Sequence, residues 1–409
     1  MKAEIIRDWS SLDDLSGCWN SLLQQSDADS LFLTWEWVQA WGSSIGRRHA
    51  LLVVVARDST GRVCGIAPFY VKRYRLLGAI PYRMLHVVAD TGADYQDVIV
   101  RRDQAEDALA CIFEALSAHR RLWDGMWLPN VSKWNGAFSR LDSGREHLYS
   151  AVRPVEFSAI DLPATMDEYD RMLSAKRRNR LHSLRKKLFG ASKIEITRCT
   201  TIFDVPAYLE ALFELHLAHW RRKGQPGSFG PEKVAMYHSF ARRAVQLDWL
   251  RLYGLKSDGQ FKAVQIGYVY DRTFYALQEG FDPDFTQGVG NVLRYEIIQA
   301  CIEEGIRSYD FLRGFSEHKR MWLAKAREGC DVFIGRRSAL NYFLFKGGVS
   351  PSGRYLKSVP VCSGSRPLVG ELIHKWIHFL FLIGGWRIFE DYAPAVSQMI
   401  CLSSFFTFA

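Results

Sequence analysis

Two stretches of the chain share one rhythm of apolar and polar positions. Leu51 to Leu76 runs apolar and β-branched, breaks at Asp58, Ser59, Thr60 and Gly61, and then resumes. Turn-forming residues between two such runs predict strand, turn, strand. Leu250 to Asp282 repeats the scheme with Ser257, Asp258 and Gly259 at the turn, and adds a strand over Thr273 to Gln278. After each hairpin the period lengthens. Ala108, Ile112, Ala115 and Leu116 share one face of a helix predicted from Asp103 to His119, before a strand from Gly125 to Leu128. Leu293, Ile297, Ile298, Cys301 and Ile302 do the same from Asn291 to Glu304; Gly305 stops that helix, and a strand from Tyr309 to Leu312 follows. The repetition predicts a duplicated α/β unit.

Between the copies, Arg171 to Leu188 reads as a single basic helix. Met172, Leu173, Leu181, Leu184 and Leu188 make a thin apolar stripe, and Lys176, Arg177, Arg178, Arg180, Arg185, Lys186 and Lys187 fill the rest. It is either a solvated linker or a face that meets phosphate, lipid head groups or RNA. From Asn341 the character changes again. Glycines and prolines precede an apolar run from Glu371 to Phe389, in which His374 and His378 read as packing residues. This tail is expected to be an appended helical region that packs on the core or rests on a membrane surface. The predicted boundaries are 1–160 for the first unit, 161–340 for the second and 341–409 for the tail.

Composition narrows the picture. A chain of 409 residues with 48% apolar and 24% charged side chains is an ordinary globular balance, which excludes disorder, collagen-like repeats and coiled-coil rods. Lys and Arg number 53 against 44 acidic residues, and the resulting +9 charge points to anionic partners without choosing among them. The eight cysteines form no CxxC pair, so they read as thiols of a reducing compartment and no metal is expected. Glu4, Arg7 and Asp8 stand where a signal peptide needs an apolar run, and Gly384, Gly385 and Arg387 break the longest apolar stretch. A cytoplasmic location, at most at the inner membrane face, is expected.

Several chemistries are disfavoured by pattern. The chain has no GxxxxGK[ST] loop, no GxGxxG after an early strand, no HExxH and no GxSxG elbow. Three constellations remain. Asp282 to Asn291 follows a strand and opens a helix, with Gly288 and Gly290 inside it. Such a turn either simply connects two elements or aims free N–H groups at an anion such as a pyrophosphate. Arg313, Gly314, His318, Lys319 and Arg320 cluster past a strand end, where Arg313 and Lys319 could hold a phosphate or carboxylate; ordinary surface basicity is the alternative. His216 and His219 share a helix face at i, i+3 but lack a matching third ligand, so they read as packed or substrate-facing.

The succession TWEWVQAW, a hairpin, GADYQDVIV, SAKRRNRLHSLRKKL, LFELHLAHWRRKG, GFDPDF with its glycine turn, and YDFLRGFSEHKRMW resembles a known family. It is similar to the acetyltransferases associated with cellulose and exopolysaccharide biosynthesis (CelD-like), themselves similar to the FemAB peptidoglycan-bridge aminoacyltransferases. The resemblance covers Leu31 to Leu323 and implies an α/β fold of two tandem GNAT-like acyl-CoA N-acyltransferase domains with mixed central sheets. It implies acyl-CoA, with acetyl-CoA the expected form, as co-substrate, and a donor loop on Gln287, Gly288, Val289, Gly290 and Asn291. The position after that loop holds Val292 where the pattern has Gly or Ala. Asp94, Tyr95 and Asp97 match the DYxD segment and are implied to face the cleft between domains, with Tyr95 and Asp97 beside Arg313 and Lys319 on the substrate side.

An attacking amine must lose a proton, so a base is required, and Glu279, His216 and Asp94 are the candidates, Glu279 having the best placement before the glycine loop. The leading reading is an N-acyltransferase acting on an amino sugar or similar glycan amine in polysaccharide or envelope synthesis, with peripheral membrane or polysaccharide-synthase association as a further expectation. The alternatives are a FemAB-like transferase using aminoacyl-tRNA, the one nucleic-acid partner considered, and a non-catalytic accessory protein of the same fold, which the Val292 departure supports.

Overall fold

The computed structural model describes residues 1–341 and 356–358, apart from 77–79, 133–147, 192, 226, 228, 286–287, 337 and 339–340. Gln287 and nearly all of the expected tail, with His374 and His378, lie outside the described residues. The first half runs β1 (Lys2–Ile6), α1 (Trp9–Asp13), α2 (Ser16–Gln24), α3 (Trp35–Ser44), β2 (Ala50–Arg57), β3 (Val63–Leu76), β4 (Ile80–Val87), β5 (Ile99–Val100), α4 (Ala105–Ala118), β6 (Gly125–Ser132) and β7 (Leu148–Asp161). The second runs α5 (Met166–Met172), α6 (Ala175–Ala191), β8 (Ile194–Arg198), α7 (Val205–Arg222), α8 (Pro231–Gln246), β9 (Leu250–Ser257), β10 (Gln260–Tyr270), β11 (Thr273–Phe281), α9 (Val289–Glu303), β12 (Ser308–Arg313), α10 (Glu317–Arg320) and β13 (Lys325–Arg336), with β14 (Leu356–Ser358) beyond.

The duplicated plan read from the sequence is visible in the strand order β1-β2-β3-β4-β6-β13-β7-β12-β11-β10-β9-β8. Each half presents an antiparallel series and then one parallel pair, β4 with β6 and β11 with β12. A parallel neighbour needs a crossover, and α4 and α9 are those crossovers. One feature escaped the sequence reading. The closing strand of each half is exchanged: β7 pairs with β12 of the second half, and β13 pairs with β6 of the first. β7 and β13 then pair with each other from Lys325↔Ala159 to Arg336↔Leu148, so one continuous mixed sheet joins the halves.

Helices cover both faces of this mixed α/β sheet. Leu209 and Leu212 of α7 and Phe240 of α8 join the core that runs through the first half, and the Trp37 ring of α3 meets Phe240 edge-on at 4.7 Å. Leu181 and Leu188 of α6 and Val292, Ile297 and Ile298 of α9 form a second core on the opposite face. The basic segment is not the single helix expected. Leu173 turns extended (φ −68°, ψ 145°), ending α5, and the Ser174 hydroxyl accepts the Arg177 N–H (3.3 Å) as α6 starts. Serine favours this capping role because its oxygen satisfies an N–H that the new helix leaves unpaired. The break buries Leu173 while Met172 stays exposed.

Candidate active site

A cleft of about 380 Å³ opens where the end of β11, the start of α9, the end of α7 and α10 meet. Gly280 permits this closeness, since a Cβ there would sit 2.9 Å from both Leu212 O and His216 N of α7. After β11 the Asp282 carboxylate accepts the Asp284 N–H (2.9 Å), turning the chain toward α9. Gly288 then takes the left-handed conformation (φ 95°) as the α9 N-cap, a residue with no side chain of its own to cap the helix. Among the described residues no side chain caps the first N–H groups of α9, and Gly288, Val289, Gly290 and Asn291 line the cleft. The helix dipole adds roughly half a positive charge at that end. Arg222 and Lys223 face the same space, and Arg222 Nη1 donates to Pro283 O (3.1 Å) and Asp284 Oδ1 (2.8 Å), tying α7 to the glycine turn. These donors suit a phosphorylated ligand.

Deeper in the cleft, the Glu279 carboxylate is ion-paired with Arg294, whose side chain is only 6% exposed. Arg294 Nη1 also donates toward His318 Nε2 at 3.4 Å. Burial, then the neighbouring Arg294 charge, holds the His318 pKa below the ordinary value and keeps the ring neutral near pH 7. His219, also facing the cleft, is lowered by burial and by Lys223.

Of the three expected bases, Glu279 faces the cleft. His216 is buried behind β11, donates from Nδ1 to Glu279 O (3.4 Å) and meets the Phe229 ring at 4.8 Å. Asp94 is buried at the junction of the halves, where Oδ2 accepts the Arg313 N–H (3.0 Å). Burial, with the adjacent Asp310 charge, pushes the Asp94 carboxyl up to about 6 despite that hydrogen bond.

The two motif segments do meet, but they bind each other. The Tyr95 hydroxyl donates to Asp310 Oδ2 (2.7 Å), and Asp97 Oδ1 accepts the Val98 N–H (2.7 Å). Arg313 and Lys319, expected to hold a ligand oxyanion, are engaged by protein groups. Arg313 forms a two-pronged pair with Asp331 (2.8 and 3.0 Å), and the Lys319 ammonium donates to the carbonyls of Phe311, Arg313 and Gly314 (2.9, 2.9 and 2.7 Å). Three donors on one ammonium match three convergent carbonyls, and they hold a loop in which Leu312 has φ 63°. Val292, where the resembled pattern has Gly or Ala, packs in the core rather than lining the cleft. Arg294 went unassigned from sequence, its one signal being a charge inside an apolar helix stripe, and His318 was read only as a member of the basic cluster past the strand end.

Residues 175–320, which contain the cleft, match the model of the acetyltransferase (GNAT) domain, so the chain carries an acyltransferase domain. No curated protein matches the sequence. Among solved structures, FemX is similar with a TM-score of 0.57 at 11% identity, over 85% of this chain and 100% of that one, a likeness of fold. The C-terminal domain of a putative lysylphosphatidylglycerol synthetase from Agrobacterium fabrum follows at a TM-score of 0.48 and 14% identity, over 82% of this chain and 98% of that one.

Proposed function

We propose that this acyltransferase moves an acyl group from coenzyme A to an amine, with the donor phosphates at the α9 N-terminus between Arg222 and Lys223. The observation that carries the reading is the start of α9 at Gly288, a glycine N-cap opening into a cleft with Arg222, Lys223 and Arg294 beside Glu279 and His318. The Glu279 carboxylate, facing the cleft, draws the acceptor ammonium in and takes its proton. The freed amine attacks the thioester carbonyl, the carbon–sulfur bond breaks, and the thiolate leaves and is protonated. The motif resemblance supports an amino-sugar acceptor in polysaccharide or envelope synthesis. Calorimetry with acetyl-CoA and longer acyl-CoAs tests the donor; absence of binding by any of them to folded protein would overturn it. Gly290→Leu should weaken binding about tenfold by filling the turn, and unchanged affinity removes the loop from the site.

One observation favours a second reading, an aminoacyl-tRNA donor. Lys176, Arg180, Lys186 and Lys187 stand exposed on α6. This reading predicts charged-tRNA affinity that falls steeply with salt as counterions are released, and salt-independent or absent binding counts against it.

A further inference from the structure

Beside the cleft, two guanidinium groups converge on one indole. Arg177, in the first turn of α6, lies over the Trp322 ring with Cζ 4.5 Å from its centre, and Arg294 of α9 lies over the same ring at 5.3 Å. Trp322 is fully buried, and its carbonyl accepts the Tyr169 hydroxyl (3.2 Å). Stacking satisfies the faces of the guanidinium planes and leaves their in-plane N–H groups to be met otherwise. They are not all met. Arg294 directs Nη2 to Glu279 and Nη1 toward His318, yet its buried Nε has no acceptor among the described residues. Arg177 Nε and Nη2 are buried and equally without one, and no described carboxylate forms an ion pair with Arg177. Burial, with repulsion from Arg180 and Arg294, presses the Arg177 pKa down against the opposing influence of Tyr169. Sequences seldom leave two desolvated cations facing one carboxylate unless an anion completes the set.

We propose that Arg177 and Arg294, with His318 at their edge, form an oxyanion subsite for a carboxylate or phosphate carried by the acceptor substrate. The assignment to the acceptor rests on the acyl-transfer reading above. Arg294 lies six residues along α9 from Gly288, about 9 Å along the helix axis at 1.5 Å per residue. Glu279 and His318 both contact Arg294, so the acyl-transfer point adjoins this subsite while the donor phosphates sit at the start of the helix. A planar fork with free in-plane donors is the geometry that binds carboxylate and phosphate in two-pronged fashion.

The test uses the full chain, with sodium acetate and inorganic phosphate as probes against sodium chloride at equal ionic strength. Melting temperature and calorimetric affinity are read for the wild type, Arg177→Met and Arg177→Lys. The expected result is an anion-dependent rise in melting temperature for the wild type and an affinity about tenfold weaker in Arg177→Met. Arg177→Lys, which keeps the charge and loses the fork, falls between them and serves if the methionine variant does not fold. Without anion, Arg177→Met should melt no lower than the wild type, because it removes an unmet buried charge. A lower melting temperature with anion affinity unchanged would show a purely structural stack and overturn the proposal. So would the absence of any Arg177-dependent effect of either anion. Coenzyme A affinity should be the same in wild type and Arg177→Met, and a parallel loss would hand the subsite to the donor. Arg177-dependent anion binding in a protein that binds no acyl-CoA would sustain the subsite and defeat the donor assignment.

Discussion

Asp94→Asn should change how stability depends on pH, by an amount the structure sets. The Asp94 carboxyl is 8% exposed and its pKa is pushed from 3.8 to about 6, burial outweighing the Arg313 N–H that it accepts. An acid raised in this way binds its proton more tightly in the fold than in the unfolded chain. Its ionised form therefore costs stability above pH ~6, the cost fades as pH falls through that value, and below pH ~3.8 it is gone. A gap of about 2 pKa units corresponds to about 3 kcal/mol. Asparagine stays neutral and retains an oxygen for the Arg313 N–H. The stability of the wild type relative to the variant should thus rise by about 2.5 kcal/mol as pH falls from ~7.5 to ~4. Urea unfolding of both proteins across that range, extrapolated to water at each pH, measures the difference. A difference that does not move with pH, or a wild type that gains on the variant as pH rises, would refute the argument.

Other perturbations follow from the same contacts. Lys319→Met leaves three carbonyls without their shared donor and a loop at positive φ without its anchor, so unfolding should become easier by roughly 2–4 kcal/mol in denaturant titrations. Glu279→Gln should destabilise more than Arg294→Met when the two are melted side by side. The first strands a guanidinium 6% exposed, whereas the second frees a carboxylate 39% exposed that water can solvate. Gly288→Ala should cost about 1–2 kcal/mol of stability and weaken acyl-CoA binding in calorimetry. Its φ of 95° disfavours any side chain, and a Cβ would press Leu184 Cδ1 at 3.1 Å.

Much of the fold was legible because its units are local. The helix predicted over Asn291–Glu304 is α9 (Val289–Glu303), and the strand over Tyr309–Leu312 is β12 (Ser308–Arg313). Hydrophobic period and a stopping glycine act over a few residues, so they survive in one dimension. The same logic failed at Ser174, where a capping hydroxyl interrupts a stretch whose charge pattern is continuous. The contacts of single residues were not legible in the same way. Arg313 and Lys319 looked like ligand-binding cations, yet their partners, Asp331 and three backbone carbonyls, are set by how the chain returns on itself.

The sequence alone determined the repeated hairpin, crossover and strand, the glycine turn that opens α9, and the concentration of charge in one segment. Each depends on side-chain period or backbone preference over a short span. Only the tertiary structure decided the exchange of β7 and β13 between halves, since strand pairing is a long-range choice among surfaces of similar pattern. It also decided which charges face solvent. Arg294 sits in a helix like any other arginine until β11, α10 and Trp322 enclose it, and enclosure is what turns a cation into part of a site.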